Sequence, residues 1–164
     1  MKLVRDALAA DSQISDALDS KKRIIAPSSL HPFLAAIRAI ERPLLIVTGS
    51  SRTSEDLVND LRELHECVYE FPAWETLPHE RLSPRSDTVA HRISTLIELN
   101  KKQIQNPIVV TPVRGLIHRI INSLAQTPVR ELTVGAQCDL KELIDHLGEL
   151  AYQRTDLVLS LIHI

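Results

Sequence analysis

Phe71-Pro-Ala-Trp-Glu-Thr-Leu-Pro-His-Glu-Arg-Leu-Ser-Pro-Arg-Ser-Asp-Thr-Val-Ala-His-Arg-Ile-Ser-Thr-Leu96 holds the chain's one Trp and three of its nine Pro. It also passes from irregular chain into a helical pattern. Just before it, Glu66 to Phe71 alternates in the manner of a strand. From Asp87 onward, Val89, Ile93, Leu96 and Ile97 return to one helical face. The stretch therefore reads as a strand, a proline-stiffened crossing and a helix.

The flanks repeat that alternation. Upstream, Pro43 to Thr48 is a continuous apolar run, expected to be a strand covered on both faces. Gly49-Ser50-Ser51-Arg52 turns the chain, and Thr53 or Ser54 is expected to cap a helix that turns Leu57, Val58, Leu61 and Leu64 inward. Before that strand, a helix is expected with Pro32 in its first turn and Phe33, Leu34, Ile37 and Ile40 at helical spacing. Leu3 to Leu18 carries a looser helical stripe broken or capped at Asp11-Ser12, and Ser20 to Arg23 reads as a connector. Downstream, Ile108 to Val110 reads as a buried strand. Thr111-Pro112 is expected to open a helix with Val113, Leu116, Ile117, Ile120 and Ile121 on its apolar stripe. Strands alternating with helices imply an α/β fold with a parallel sheet flanked by helices.

After Gln126-Thr127-Pro128 the pattern restarts. Arg130 to Val134 reads as a strand, Gly135 as a turn, and Asp139 with Glu142 three residues on as a capping box. Leu140, Leu143, Ile144, Leu147 and Leu150 would form the buried face of that helix, and Tyr152 to Val158 opens another strand. One helix between two strands closes no core, so this second unit reads as incomplete.

Composition narrows the function classes. Hydrophobic residues make up 44% and charged residues 24% of 164, an ordinary globular balance, and a net charge of −2 supplies no basic field for direct nucleic-acid binding. No secretory signal is visible, and no run approaches the ~18 apolar residues of a membrane span. Cys67 and Cys138 read as reduced, buried thiols, which suits a cytoplasmic chain.

Catalytic motifs are sparse. A P-loop needs a second Gly and a Lys so that backbone N–H groups and an ammonium cradle phosphates. Ala26-Pro27-Ser28-Ser29 and Gly49-Ser50-Ser51-Arg52-Thr53 have neither, so the latter is first of all a strand-to-helix turn. A small α/β enzyme binding a nucleotide or phosphorylated ligand at Gly49 remains the alternative reading. No Gly-x-Ser-x-Gly elbow occurs. His65 and Cys67 lack the further ligands of a zinc site and read as an exposed His beside a buried Cys. Glu75, His79 and Glu80 near Trp74 would suit acid–base work, but read more simply as a polar loop. Asp87, His91 and Arg92 read as a helix start and its solvated face.

The Phe71 to Leu96 stretch resembles the N-terminal region of the bacterial transcription-repair coupling factors, the Mfd family. The residues that carry the likeness are Phe71, Pro72, Trp74 to Pro78, Ser83-Pro84 and Arg92 to Leu96. Val109 to Val113, Leu132 to Val134, and Tyr152 to Val158 extend it, so that it covers roughly Ile24 to Val158. The resemblance implies a P-loop-helicase-like sheet similar to that of UvrB, followed by the start of a small α+β domain that contacts UvrA. It also implies that the whole factor is an ATP-driven DNA translocase, using ATP and Mg, that displaces stalled RNA polymerase. Only the twelve residues Glu75 to Ser86 separate Trp74 from Asp87, too few for the DNA-clamping hairpin of UvrB. The segment is thus expected to be a non-catalytic scaffold with no catalytic, cofactor or metal residue of its own. Contacts to RNA polymerase and double-stranded DNA are expected elsewhere in the factor, and Arg154 is the candidate for the edge of the UvrA surface. The expected divisions are a helical lead-in at 1–23, a UvrB-like domain without a P-loop at 24–127, and the opening of the UvrA-binding domain at 128–158. The tail 159–164, Leu-Ser-Leu-Ile-His-Ile, resembles the translation of a transposon-derived sequencing adapter and is expected to be non-native.

Overall fold

The apolar run before Val113 forms the central strand of a three-stranded parallel sheet. In chain order the elements are α1 (Lys2–Ala9), α2 (Ser12–Asp19), a 3-10 turn (Ser28–Leu30), α3 (His31–Arg38), β1 (Leu44–Thr48), α4 (Ser51–Arg62), β2 (Val68–Glu70), α5 (Ser86–Asn100), β3 (Ile108–Pro112), α6 (Val113–Ile117) and α7 (Leu140–Glu149). The computed structural model describes residues 2–20, 23–76, 84–101, 104–120, 132–149 and 152. The chain divides into two compact units, Met1–Thr127 and Pro128–Ile164.

In the first unit the strand order is β1-β3-β2, and both pairings are parallel. Register decides which side chains share a face, because successive residues of a strand point to opposite sides. Leu44, Ile108 and Val68 stand level across the sheet, and Ile46 stands level with Val110. These rows meet Ala36 of α3, Ala39 just beyond it, and Val58 and Leu61 of α4, with Leu64 completing the cluster. Leu61, Leu64 and Ile108 are fully enclosed. Each such side chain stabilises the fold by about 1.5–3 kcal/mol relative to exposure. The alternate row behaves differently. Val109 is half-buried beside Tyr69, but Leu45 is 58% and Val47 47% exposed. The expectation that Pro43 to Thr48 is covered on both faces is corrected: β1 is an edge strand whose second side faces solvent.

Helix α4 shows how the local sequence sets an element. Ser50, in extended conformation, is its N-cap and accepts a hydrogen bond from the Thr53 N–H at 3.2 Å. The expected caps, Thr53 and Ser54, lie inside the helix instead. Ser54 turns inward, where its hydroxyl meets Thr48 Oγ1 at 2.6 Å and ties the helix to the end of β1. Arg62 in the last turn suits the negative end of the helix dipole. At the other end of the sheet Asn106 adopts a left-handed φ of 44°. Its Nδ2 donates to the Ile40 carbonyl at 2.8 Å, and its own carbonyl accepts from His65 Nε2 at 2.9 Å. Asn tolerates this backbone better than most residues.

Helices α1 and α2 bear out the break at Asp11, whose carboxylate accepts from Gln13 and Ile14 N–H as a cap. The expected cap at Thr111 is corrected. Thr111 is a fully buried residue of β3, and Pro112 occupies the cap position with no side-chain hydrogen bond. The stripe expected on α6 is largely exposed, with Ile117 75% accessible, and Ile121 lies outside the described residues.

In the second unit Asp139 caps α7, accepting from the Lys141 and Glu142 N–H groups at 2.8 and 3.1 Å. Leu143 and Ile144 are half-buried, whereas Leu140 is 69% exposed; Leu150 lies outside the described residues. Of the strand expected at Arg130 to Val134, residues 132–134 are described and pair with no strand among the described residues. Val134 enters a turn with Gly135, whose φ of 88° is in the left-handed region. Of the strand expected from Tyr152, only Tyr152 is described.

Candidate functional site

The end of β2 and the start of the Phe71 to Leu96 stretch are gripped from two helices. Phe71 N–H donates to Val110 O at 2.8 Å, carrying the ladder one residue past β2. Beyond it the chain leaves the sheet at Pro72, and α5 presents Thr88, Arg92 and Thr95 to it at i, i+4 and i+7. Thr95 Oγ1 donates to Glu70 O at 2.8 Å. Arg92 Nη1 donates to Pro72 O, and Thr88 Oγ1 donates to the Glu75 carboxylate. The Arg92 guanidinium carbon lies 3.9 Å from the Phe71 ring centroid and 4.3 Å from that of Trp74.

Arg92 is only 4% exposed. Reading it as part of a solvated helix face is therefore corrected: it is one of two buried residues of α5, with Thr95, while Val89, Ile93, Leu96 and Ile97 are half-buried. A charge out of water needs compensation, which two aromatic faces and a carbonyl supply here. Burial draws the Arg92 pKa down from its ordinary value, yet a guanidinium remains protonated in proteins. Among the described residues no buried side-chain nitrogen or oxygen lacks a partner. Trp74 is half-buried, with its ring against the Arg92 guanidinium.

The opposite flank is closed by backbone. A Cβ at Gly115 of α6 would lie 2.3 Å from Thr111 Oγ1 and 3.3 Å from Phe71 O. Only glycine lets α6 approach so closely.

Glu75 is held below the ordinary carboxylate range, chiefly by the Thr88 hydrogen bond. His79 and Glu80, which would have joined it in acid–base work, lie outside the described residues, as does Arg154. The groups brought together are a guanidinium, two aromatic rings, backbone carbonyls and a carboxylate satisfied by a hydroxyl. That set is a clamp: its strongest donor and its rings are directed at the chain itself.

At the Gly49 turn the arrangement does not fit a nucleoside triphosphate. Ser50 Oγ takes the Thr53 N–H, Thr48 and Ser54 hydroxyls bond each other, and no lysine stands in the turn. A Cβ on Gly49 would meet nothing within 4 Å, so no close backbone approach requires that glycine.

His65 and Cys67 are both half-buried, neither the exposed His nor the buried Cys expected. They line a cleft of about 260 Å³ with Arg5 and Gln105. Arg5 Nη1 donates to the Leu64 carbonyl there at 2.9 Å. No group of three or more metal-ligating side chains occurs among the described residues. Cys138 is exposed, which corrects the expectation of burial. No helix among them is long and apolar enough to cross a membrane.

The signal for Arg92 was present in the sequence. Thr88, Arg92 and Thr95 share the helical period of the apolar residues beside them, so a second stripe was available to bury. Choosing it required the Phe71 and Trp74 rings in space.

No protein-family model matches the chain. It is 40% identical over 141 residues to the transcription-repair-coupling factors of Mycobacterium bovis and Mycobacterium tuberculosis, across 82% of its own length and 11% of theirs. It is 28% identical over 114 residues to the transcription-repair-coupling factor of Escherichia coli, across 64% of this chain and 10% of that protein. The chain thus spans about a tenth of the length of the curated relatives it matches.

Proposed function

The aligned stretch of this chain belongs to the transcription-repair-coupling factor family, and on that footing we propose that it serves as a non-catalytic scaffold within such a factor. In this reading residues 24–127 are a UvrB-like domain without a phosphate-binding loop, and residues 128–158 open the UvrA-binding domain, with Arg154 at the edge of its contact surface. The complete factor displaces stalled RNA polymerase and recruits UvrA to the transcribed strand in the cytoplasm. ATP, Mg and double-stranded DNA are handled by other parts of the polypeptide.

The observation that carries the reading is the 40% identity over 82% of the chain. The Arg92 clamp supports it, because its guanidinium, rings and carbonyl partners hold chain to chain. The occupied Gly49 turn supports it against the alternative of a small nucleotide-binding enzyme.

Two measurements test the proposal. Calorimetric titration with ATP is expected to give no binding tighter than about 100 μM, or some 5–6 kcal/mol; tighter binding at the Gly49 turn would favour the enzyme. The uninterrupted coding sequence after Val158 is expected to continue into a Gly-Glu-(Phe/Tyr)-Ala-x-Arg-Gly strand and later helicase motifs, and its product to bind purified UvrA. An independently sequenced gene that encodes Leu159 to Ile164 and then a stop overturns it.

A further inference from the structure

We draw no further inference here: the strongest candidate, the solvent-facing apolar side of the edge strand β1 formed by Leu45 and Val47, carries nothing because nothing in the structure shows what covers it.

Discussion

A guanidinium moved out of water costs several kcal/mol unless its charge and its donors are met. Among the described residues, Arg92 is met by two rings and the Pro72 carbonyl rather than by a carboxylate. Desolvated cation–π contacts contribute about 2 kcal/mol or more, and a hydrogen bond from a charged group about 1.5–3. Arg92→Ala should therefore destabilise the first unit by about 2–4 kcal/mol, read from urea unfolding. Trp74 is the one tryptophan, so its emission should also shift to the red in that variant. Arg92→Lys should recover only part of the loss, because an ammonium offers no plane to lie between two rings. An unshifted emission in Arg92→Ala would refute the packing.

Glu75 supplies a second test at the same scale. Its carboxyl is held low mainly by Thr88, so its favourable contribution is present above the ordinary carboxylate pKa and disappears as pH falls through the depressed folded value. Thr88→Val should return the Glu75 titration toward the ordinary range, followed by carboxyl NMR chemical shifts against pH. Glu70 runs the other way. Burial is the main cause that raises its pKa, so its contribution is full below the ordinary value and lost as pH rises through the raised one. Acid should accordingly weaken the Glu75 clasp while relieving Glu70.

Among elements, α6 is short, yet its approach is set by a single missing methyl. Gly115→Ala would drive a Cβ into the side chain of the fully buried Thr111 and toward the Phe71 carbonyl. We expect a loss of about 1–3 kcal/mol, typical of overpacking, measured as a lowered urea midpoint. Gly49→Ala serves as the contrast, since a Cβ there meets nothing within 4 Å. Equal losses at the two glycines would sink the close-approach account.

The elements also show which patterns were readable. Helix α4 followed from its sequence because the Leu57, Val58 and Leu61 spacing leaves one face to bury. Strand β1 was recognised, but its surroundings were not. An apolar run such as Leu44 to Thr48 is compatible with burial on one side or both, and only the packing of other elements on its second face decides between them. Helix α5 was also recognised, with the half-buried stripe in view and the deeply buried one overlooked.

Across the first unit, apolar side chains are left exposed: Leu45 and Val47 on β1, and Leu116 and Ile117 on α6. The purified chain should associate as its concentration rises, and Leu45→Thr with Val47→Lys should reduce that association in light scattering without loss of helical circular dichroism. A monodisperse monomer at high concentration would contradict the expectation.

The sequence by itself determined the element order of the first unit, the α/β class and the family kinship, because these rest on periodicity and on a local string of residues that survives as text. The strand order β1-β3-β2, the open side of β1, the close approach of Gly115 to the Phe71 carbonyl, and the burial of Arg92 were decided only in the tertiary structure. The physical reason is shared by all four. Each depends on which segments distant in sequence come into contact, and a helix with two possible buried stripes cannot choose until the rings it must face are in place.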